Sequence, residues 1–208
     1  IMGQTKQKFV SRGIIEEAIA SSQLEGATTT SPVAKKLLLE NRAPRNPSEI
    51  MITNNYRTMK LIDEDYKSKK LDQDLLFEIH RQLTKDQIKN GEQLRYRKDS
   101  DEIIVGNATH IAHIPPNEVF LNEEMKRLFE YANDEDGGSF IHPVIKAIFI
   151  HFWIGYLHPF TDGNGRLARG LFYWYLLKKG YWTFTYLPIS TIIRHSPDSS
   201  AKAYLYTE

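Results

Sequence analysis

The 208-residue chain has no cysteine, which excludes a disulfide framework, thiolate metal ligands and a cysteine nucleophile. It also has no apolar run approaching a membrane span, and its start, Ile1-Met2-Gly3-Gln4, carries no signal-peptide pattern. The expectation is a cytoplasmic protein with no membrane partner. Charge of one sign is missing too: 27 basic side chains stand against 26 acidic ones, a formal net charge of +1, so nothing points to nucleic acid. No internal repeat and no low-complexity tract occurs. What is present is 41% hydrophobic residues, with 12% aromatics, enough for a sizeable core and unlike a disordered chain.

The densest polar chemistry runs His158-Pro159-Phe160-Thr161-Asp162-Gly163-Asn164-Gly165-Arg166-Leu167-Ala168-Arg169. Gly163-Asn164-Gly165 breaks the chain, and Leu167, Leu171 and Trp174 then recur at helical spacing up to Lys178-Lys179-Gly180. The glycine loop therefore opens a helix, whose N-terminal N–H groups and positive dipole end favour phosphate. Arg166 and Arg169, three apart, can clamp phosphate oxygens from one side of the first turn. Cations at a helix N-terminus oppose the dipole unless an anion lies between them. Asp162 beside such a site suits Mg²⁺ shared with substrate phosphates. His158, with an ordinary pKa near neutrality, suits abstraction of a proton from a hydroxyl. Taken singly, these residues read as turn formers and a solvated helix face; together they describe phosphoryl or nucleotidyl transfer.

This stretch resembles, at every fixed position, the signature of Fic-domain proteins: His-Pro-Phe, one variable residue, an acidic residue, Gly-Asn-Gly-Arg, two variable residues and Arg. The resemblance implies transfer of AMP from ATP to a Ser, Thr or Tyr hydroxyl of a target protein. It implies that His158 is the general base, that Asp162 is the Mg²⁺ ligand, and that Gly163, Asn164, Gly165 and Arg166 hold the α- and β-phosphates and Arg169 the γ-phosphate. Tyr204 lies where family members place a tyrosine that contacts adenine.

Upstream, residues 1–10 read as a polar lead-in. Gly13 to Ser21 forms a short helix through Ile14, Ile15, Ala18 and Ile19, with Glu16 and Glu17 on the wet side, and Ser21-Ser22-Gln23-Leu24-Glu25-Gly26 continues it to a glycine stop. Ser21, Glu25 and Gly26 resemble the family's inhibitory motif. That resemblance implies that Glu25 binds Arg169 and displaces the γ-phosphate, a plausible anion mimicry for a carboxylate lodged against a guanidinium. A second helix follows Ser31-Pro32 and runs to about Asn41. The breaker-rich 42–47 segment divides a helical extension, 1–47, from a core over 48–208 that is open to truncation at its C-terminal end.

The core reads as helices from Ser48 to Tyr66, from Asp72 through Leu75, Leu76, Ile79 and Leu83, and from Asn117 to Asn133 with Val119, Met125, Leu128, Phe129 and Ala132 inward. The next helix, begun by Pro143, is apolar nearly all round and is expected to be the central buried one, with His151 a satisfied core histidine. His80 reads as structural. Between Arg95 and Pro116 the pattern changes to a hairpin, Ile103 to Asn107 and Thr109 to Ile114. Resemblance to the family's flap implies that Ile103, Ile104 and Val105 position a target by main-chain pairing, a use open to any exposed strand edge. His110 and His113 lack a surrounding ligand set, so no metal is expected there.

The fold class expected is mainly α, a Fic-type helical core with one hairpin and an N-terminal helical extension. The function expected is an autoinhibited protein adenylyltransferase using ATP and Mg²⁺ on a target protein's hydroxyl. The alternatives are UMP or phosphate transfer or AMP removal on the same fold, or a non-catalytic nucleotide- or partner-binding regulator. Self-association stays open.

Overall fold

The computed structural model describes residues 2–89, 91–107 and 110–207. Among these residues the chain forms nine α-helices and one antiparallel hairpin, the mainly helical architecture expected. In order they are α1 (Met2–Leu24), α2 (Ser31–Leu39), α3 (Pro47–Glu64), α4 (Gln73–Leu83), β1 (Val105–Asn107), β2 (His110–His113), α5 (Glu118–Ala132), α6 (Pro143–Leu157), α7 (Asn164–Lys178), α8 (Ile189–His195) and α9 (Pro197–Thr207). Local chemistry fixes several starts. The side chains of Asn46, Asp72 and Asn117 accept the N–H groups of Glu49, Leu75 and Phe120, satisfying donors that a helix cannot satisfy internally.

The centre of the molecule is α7, with 13 of its 15 residues buried. Around it, Ile79 and Leu83 of α4, Leu121 and Leu128 of α5 and Ile150 and Ile154 of α6 complete the main core. Trp174 sits in the middle and its indole N–H donates to the Tyr66 carbonyl at 2.9 Å, so the large ring is buried without an orphaned donor.

Four expectations are corrected. First, α6 is not the buried centre: it sinks Ala147, Ile150, Ile154 and Leu157 against α7 but leaves Ile145, Ile148 and Phe149 exposed. A helix apolar on every side has no moment to say which stripe faces in. Second, Val119 of α5 is 65% exposed and Leu121 takes the inward place. Third, helix α1 begins at Met2, so the lead-in is helical. Fourth, Glu17 is not on the wet side but only 2% exposed. Its carboxylate accepts the Ser190 N–H at 3.0 Å, the Ser190 hydroxyl at 2.5 Å and the Tyr173 hydroxyl at 3.0 Å, partners that make a buried acid tolerable.

These bonds, and the packing of Ile15 and Ile19 on Ala34, Leu38 and Ile52, seat α1 across α3, α7 and α8. That placement carries Ser21 to Gly26 over the N-terminal end of α7.

Candidate active site

At the end of α6, His158 adopts left-handed backbone angles, φ 48° and ψ 59°, turning the chain sharply into the signature loop. Phe160 is fully buried and stacks on His80, ring centroids 3.6 Å apart and planes 8° apart. Asn164 closes the loop from inside: its Oδ1 accepts the Phe160 N–H at 2.9 Å and its Nδ2 donates to the Phe160 carbonyl at 2.7 Å. The Asn164 side chain is thereby occupied, so its contribution to a ligand is confined to its main-chain N–H. His80, read as structural, donates from Nε2 to the Asp162 carbonyl at 2.9 Å and props the loop from below.

Gly163 caps α7 with φ 83°, and a Cβ there would stand 2.8 Å from Thr84 Cγ2. Both backbone and space therefore demand glycine. Asp162 Oδ1 accepts the Gly163 N–H at 2.5 Å and lies 3.7 Å from Arg166 Nη2. The Arg166 side chain is fully buried; its Nη1 donates to the Leu83 carbonyl and to Gln87 Oε1, each at 2.8 Å, while Nε and Nη2 have no hydrogen-bond partner among the described residues. Burial lowers the Arg166 pKa from its ordinary value. Two orphaned donors on a desolvated cation beside a helix N-terminus suit an anion.

Arg169 is committed elsewhere. Its Nε donates to Ser21 Oγ at 2.8 Å, and its Nη2 donates to the Ser21 carbonyl at 3.0 Å and to Glu25 Oε1 at 2.7 Å. A Cβ built on Gly165 would lie 2.1 Å from Glu25 Oε1. The carboxylate is thus seated directly over the first turn of α7. Gly26, with φ 92°, ends the preceding helix.

His158 Nδ1 faces the Gly155 carbonyl at 3.4 Å. A carbonyl can only accept, so Nδ1 carries the proton and Nε2 is left with its lone pair. Burial chiefly, and Arg97 in addition, hold the His158 pKa down at about 4, against opposing pulls from the Gly155 carbonyl and Glu25. The imidazole is neutral at ordinary pH and able to take a proton.

Tyr204 of α9 lies over α6, close enough that a Cβ on Gly155 would stand 2.8 Å from its hydroxyl. It faces Phe152 and His151, with centroids 5.4 Å and 6.2 Å away, in an aromatic pocket of about 320 Å³ that Ile148 and Phe149 also line. His151, expected in the core, is at the edge of it. It is partly exposed at this pocket, and burial together with nearby Arg169 brings its pKa to about 4.

In the hairpin, Val105 pairs with His113 and Gly106 with Ile111, with an irregularity between Val105 and Gly106. Of the three residues expected to position a target, Val105 is in the strand, whereas Ile103 and Ile104 precede it, Ile104 being 57% exposed. Thr109 and the imidazole of His110 lie outside the described residues. His113 Nε2 meets the Tyr156 carbonyl at 2.7 Å, a contact that ties the hairpin to α6 two residues before His158. Among the described residues no group of three or more acidic or histidine side chains could cage a metal. Asp162, with its side chain about half exposed beside the orphaned Arg166 donors, fits a hard cation held mostly by substrate phosphate and water.

Sequence reasoning missed Arg97. It is 5% exposed, and its guanidinium binds the carbonyls of Pro116, Leu157 and His158.

The profile of the Fic/DOC family matches residues 70–176, and the chain belongs to that family. It is 31% identical over 160 residues to "Protein adenylyltransferase Fic" of Drosophila mojavensis, a match spanning 74% of this chain and 29% of that protein. In fold it is similar to a Fic family protein from Desulfovibrio desulfuricans G20, with a TM-score of 0.77 at 23% identity over 94% of this chain and 57% of that one. It is likewise similar to a Fic domain containing signaling protein from Bacteroides thetaiotaomicron, with a TM-score of 0.70 at 23% identity over 85% of this chain and 67% of that one. The chain spans less than a third of the length of the curated relatives it matches. No described helix is long and apolar enough to cross a membrane.

Proposed function

We propose that the chain is a protein adenylyltransferase held off by its own Glu25. The observation that carries this reading is the Glu25 carboxylate, bonded to Arg169 and resting on Gly165, in the place an anionic phosphate would take at the α7 N-terminus. When Glu25 withdraws, Arg169 is free for the γ-phosphate. Arg166 offers Nε and Nη2 to the α- and β-phosphates, and the main-chain N–H groups of Asn164 and Gly165 stabilise charge developing on the α-phosphoryl oxygens. Tyr204 and the pocket beside it offer a stacking wall for the base. Asp162 would hold Mg²⁺, which when bound neutralises phosphate charge.

His158 Nε2 takes the proton of a Ser, Thr or Tyr hydroxyl. The target oxygen bonds to the α-phosphorus, the bond from that phosphorus to the bridging oxygen breaks, and pyrophosphate leaves. The target's main chain aligns along the hairpin edge at Val105. A protein target, and not a nucleic acid, is consistent with the chain's near-zero net charge.

The test incubates wild type, Glu25→Gly and the Glu25→Gly, His158→Ala double variant with Mg²⁺, α-labelled ATP and candidate target protein. Label is expected on protein with Glu25→Gly alone, as an intact mass gain of one AMP. A gain of UMP or phosphate from competing nucleotides, or label surviving His158→Ala, would sink the reading.

A further inference from the structure

The segment that contains the hairpin leaves the helical core at Arg97 and returns to it at Pro116. Both ends are held by one side chain. Arg97 Nη2 donates to the Pro116 carbonyl at 2.5 Å and to the Leu157 carbonyl at 3.1 Å, and Nε donates to the His158 carbonyl at 2.8 Å. The Arg97 main-chain N–H adds a bond to the Pro159 carbonyl at 2.8 Å. One residue thus binds three successive carbonyls, 157 to 159, at the point where α6 ends.

The Leu157 carbonyl ends α6, and those of the C-cap His158 and of Pro159 follow it directly; a helix leaves its final acceptors unmatched, and its C-terminal end favours a cation. His158 is the residue there with positive φ, a conformation that costs a β-carbon residue energy and persists only when its surroundings hold it. Its own N–H bonds Ile154 at 3.0 Å, and its carbonyl is turned onto the guanidinium. The planar fork of Arg can meet acceptors in several directions at once; a lysine ammonium cannot reproduce that pattern.

We infer that Arg97 is a positioning residue for the transfer reaction, setting the main chain of His158 and the two stems of the hairpin on one guanidinium so that base and target-aligning strand keep a fixed relation. The inference rests on the assignment of His158 as base and extends it to the part that aims it. Arg97 touches neither nucleotide nor target, and its effect passes through backbone carbonyls.

Arg97→Lys is the informative variant, because it keeps charge and bulk while losing the fork; Arg97→Ala would strip all three side-chain hydrogen bonds and risk the fold. In the Glu25→Gly background, Arg97→Lys should lower kcat for protein labelling at least tenfold, with KM for ATP within about twofold of the parent. Hydrogen exchange, read without any transfer activity, should rise at peptides covering 103–107 and 155–160 and stay unchanged at 170–177. An Arg97→Lys protein that turns over like its parent, or exchanges like its parent at both segments, overturns the inference. So does an exchange increase that spreads equally through α7, since that reports general loosening. If the Glu25→Gly parent itself labels nothing, the catalytic reading fails and the exchange pattern alone still decides whether Arg97 sets the two segments.

Discussion

Glu25 Oε1 stands 2.7 Å from Arg169 Nη2 and 2.1 Å from where a methyl on residue 165 would be. Glu25 is therefore held by charge at Arg169 and coupled by space to Gly165. Gly165→Ala should force Glu25 aside and cost about 1–3 kcal/mol, the usual range for overpacking a tight contact. In the Glu25→Gly background most of that cost should disappear, because the group that collides is gone. Urea unfolding of the four proteins in this cycle measures it; an equal cost in both backgrounds means that Glu25 does not rest on Gly165.

The loop itself should be the more fragile part. Asn164→Ala leaves the Phe160 N–H and carbonyl buried without partners, and each orphaned group costs about 1–3 kcal/mol. Gly163→Ala meets both positive φ and Thr84 Cγ2 at 2.8 Å, for roughly 1–3 kcal/mol. Both should lower the denaturation midpoint and abolish the rise in melting temperature that ATP produces in Glu25→Gly. Full stability in Asn164→Ala would show that the amide is not the strut it resembles.

An imidazole with its pKa held near 4, as at His158, gives any reaction it serves as base an unusual pH profile. An ordinary imidazole loses half its free base by pH 6.5, so a histidine-dependent rate should fall across that value. His158 stays neutral down to about 4, so transfer by Glu25→Gly should be flat from pH 8 to pH 6 and fail only in more acid solution. Rates at saturating ATP across that range are the measurement, and a midpoint near 6.5 would mean that His158 is more hydrated than its surroundings imply.

The signature loop was legible because its chemistry is contiguous: imidazole, carboxylate, glycines and guanidinium groups stand within one turn and one helix start. Ser21 and Glu25 were singled out only by their resemblance to the family's inhibitory motif; helical spacing gave the helix that carries them but not the Arg169 contact, which joins residues 144 positions apart. The outward face of α6 was not, because all of its faces are apolar and only packing against α7 selects one. Arg97 escaped because its partners are carbonyls of Pro116, Leu157 and His158, and main-chain acceptors leave no mark in a sequence. Glu17 escaped for a related reason: Ser190 and Tyr173, which make its burial tolerable, lie far along the chain.

Glu17 supplies the last prediction, in which the sign of a pH effect is decisive. Burial raises its pKa above the ordinary carboxylate value, against the pull of Ser190, Arg169 and Tyr173. The folded state therefore binds the proton more tightly than the unfolded state, so this contribution to stability is full below the unfolded pKa and is lost as pH rises through the folded one. Glu17→Gln should be at least as stable as the parent at pH 8, and its advantage should shrink towards pH 4. The amide can keep the geometry: its oxygen accepts from the Ser190 N–H and the Tyr173 hydroxyl, while its NH₂ donates to a turned Ser190 hydroxyl. His151 and His158 act in the opposite direction. Their depressed pKa values withdraw stability from parent and variant alike as pH falls below 6.5 towards about 4, so the difference between the two proteins isolates Glu17. Urea midpoints at pH 4, 6 and 8 decide it. A variant less stable than the parent at pH 8 would show that the Glu17 charge beside Arg169 stabilises α1 on the core, outweighing the cost of burying it.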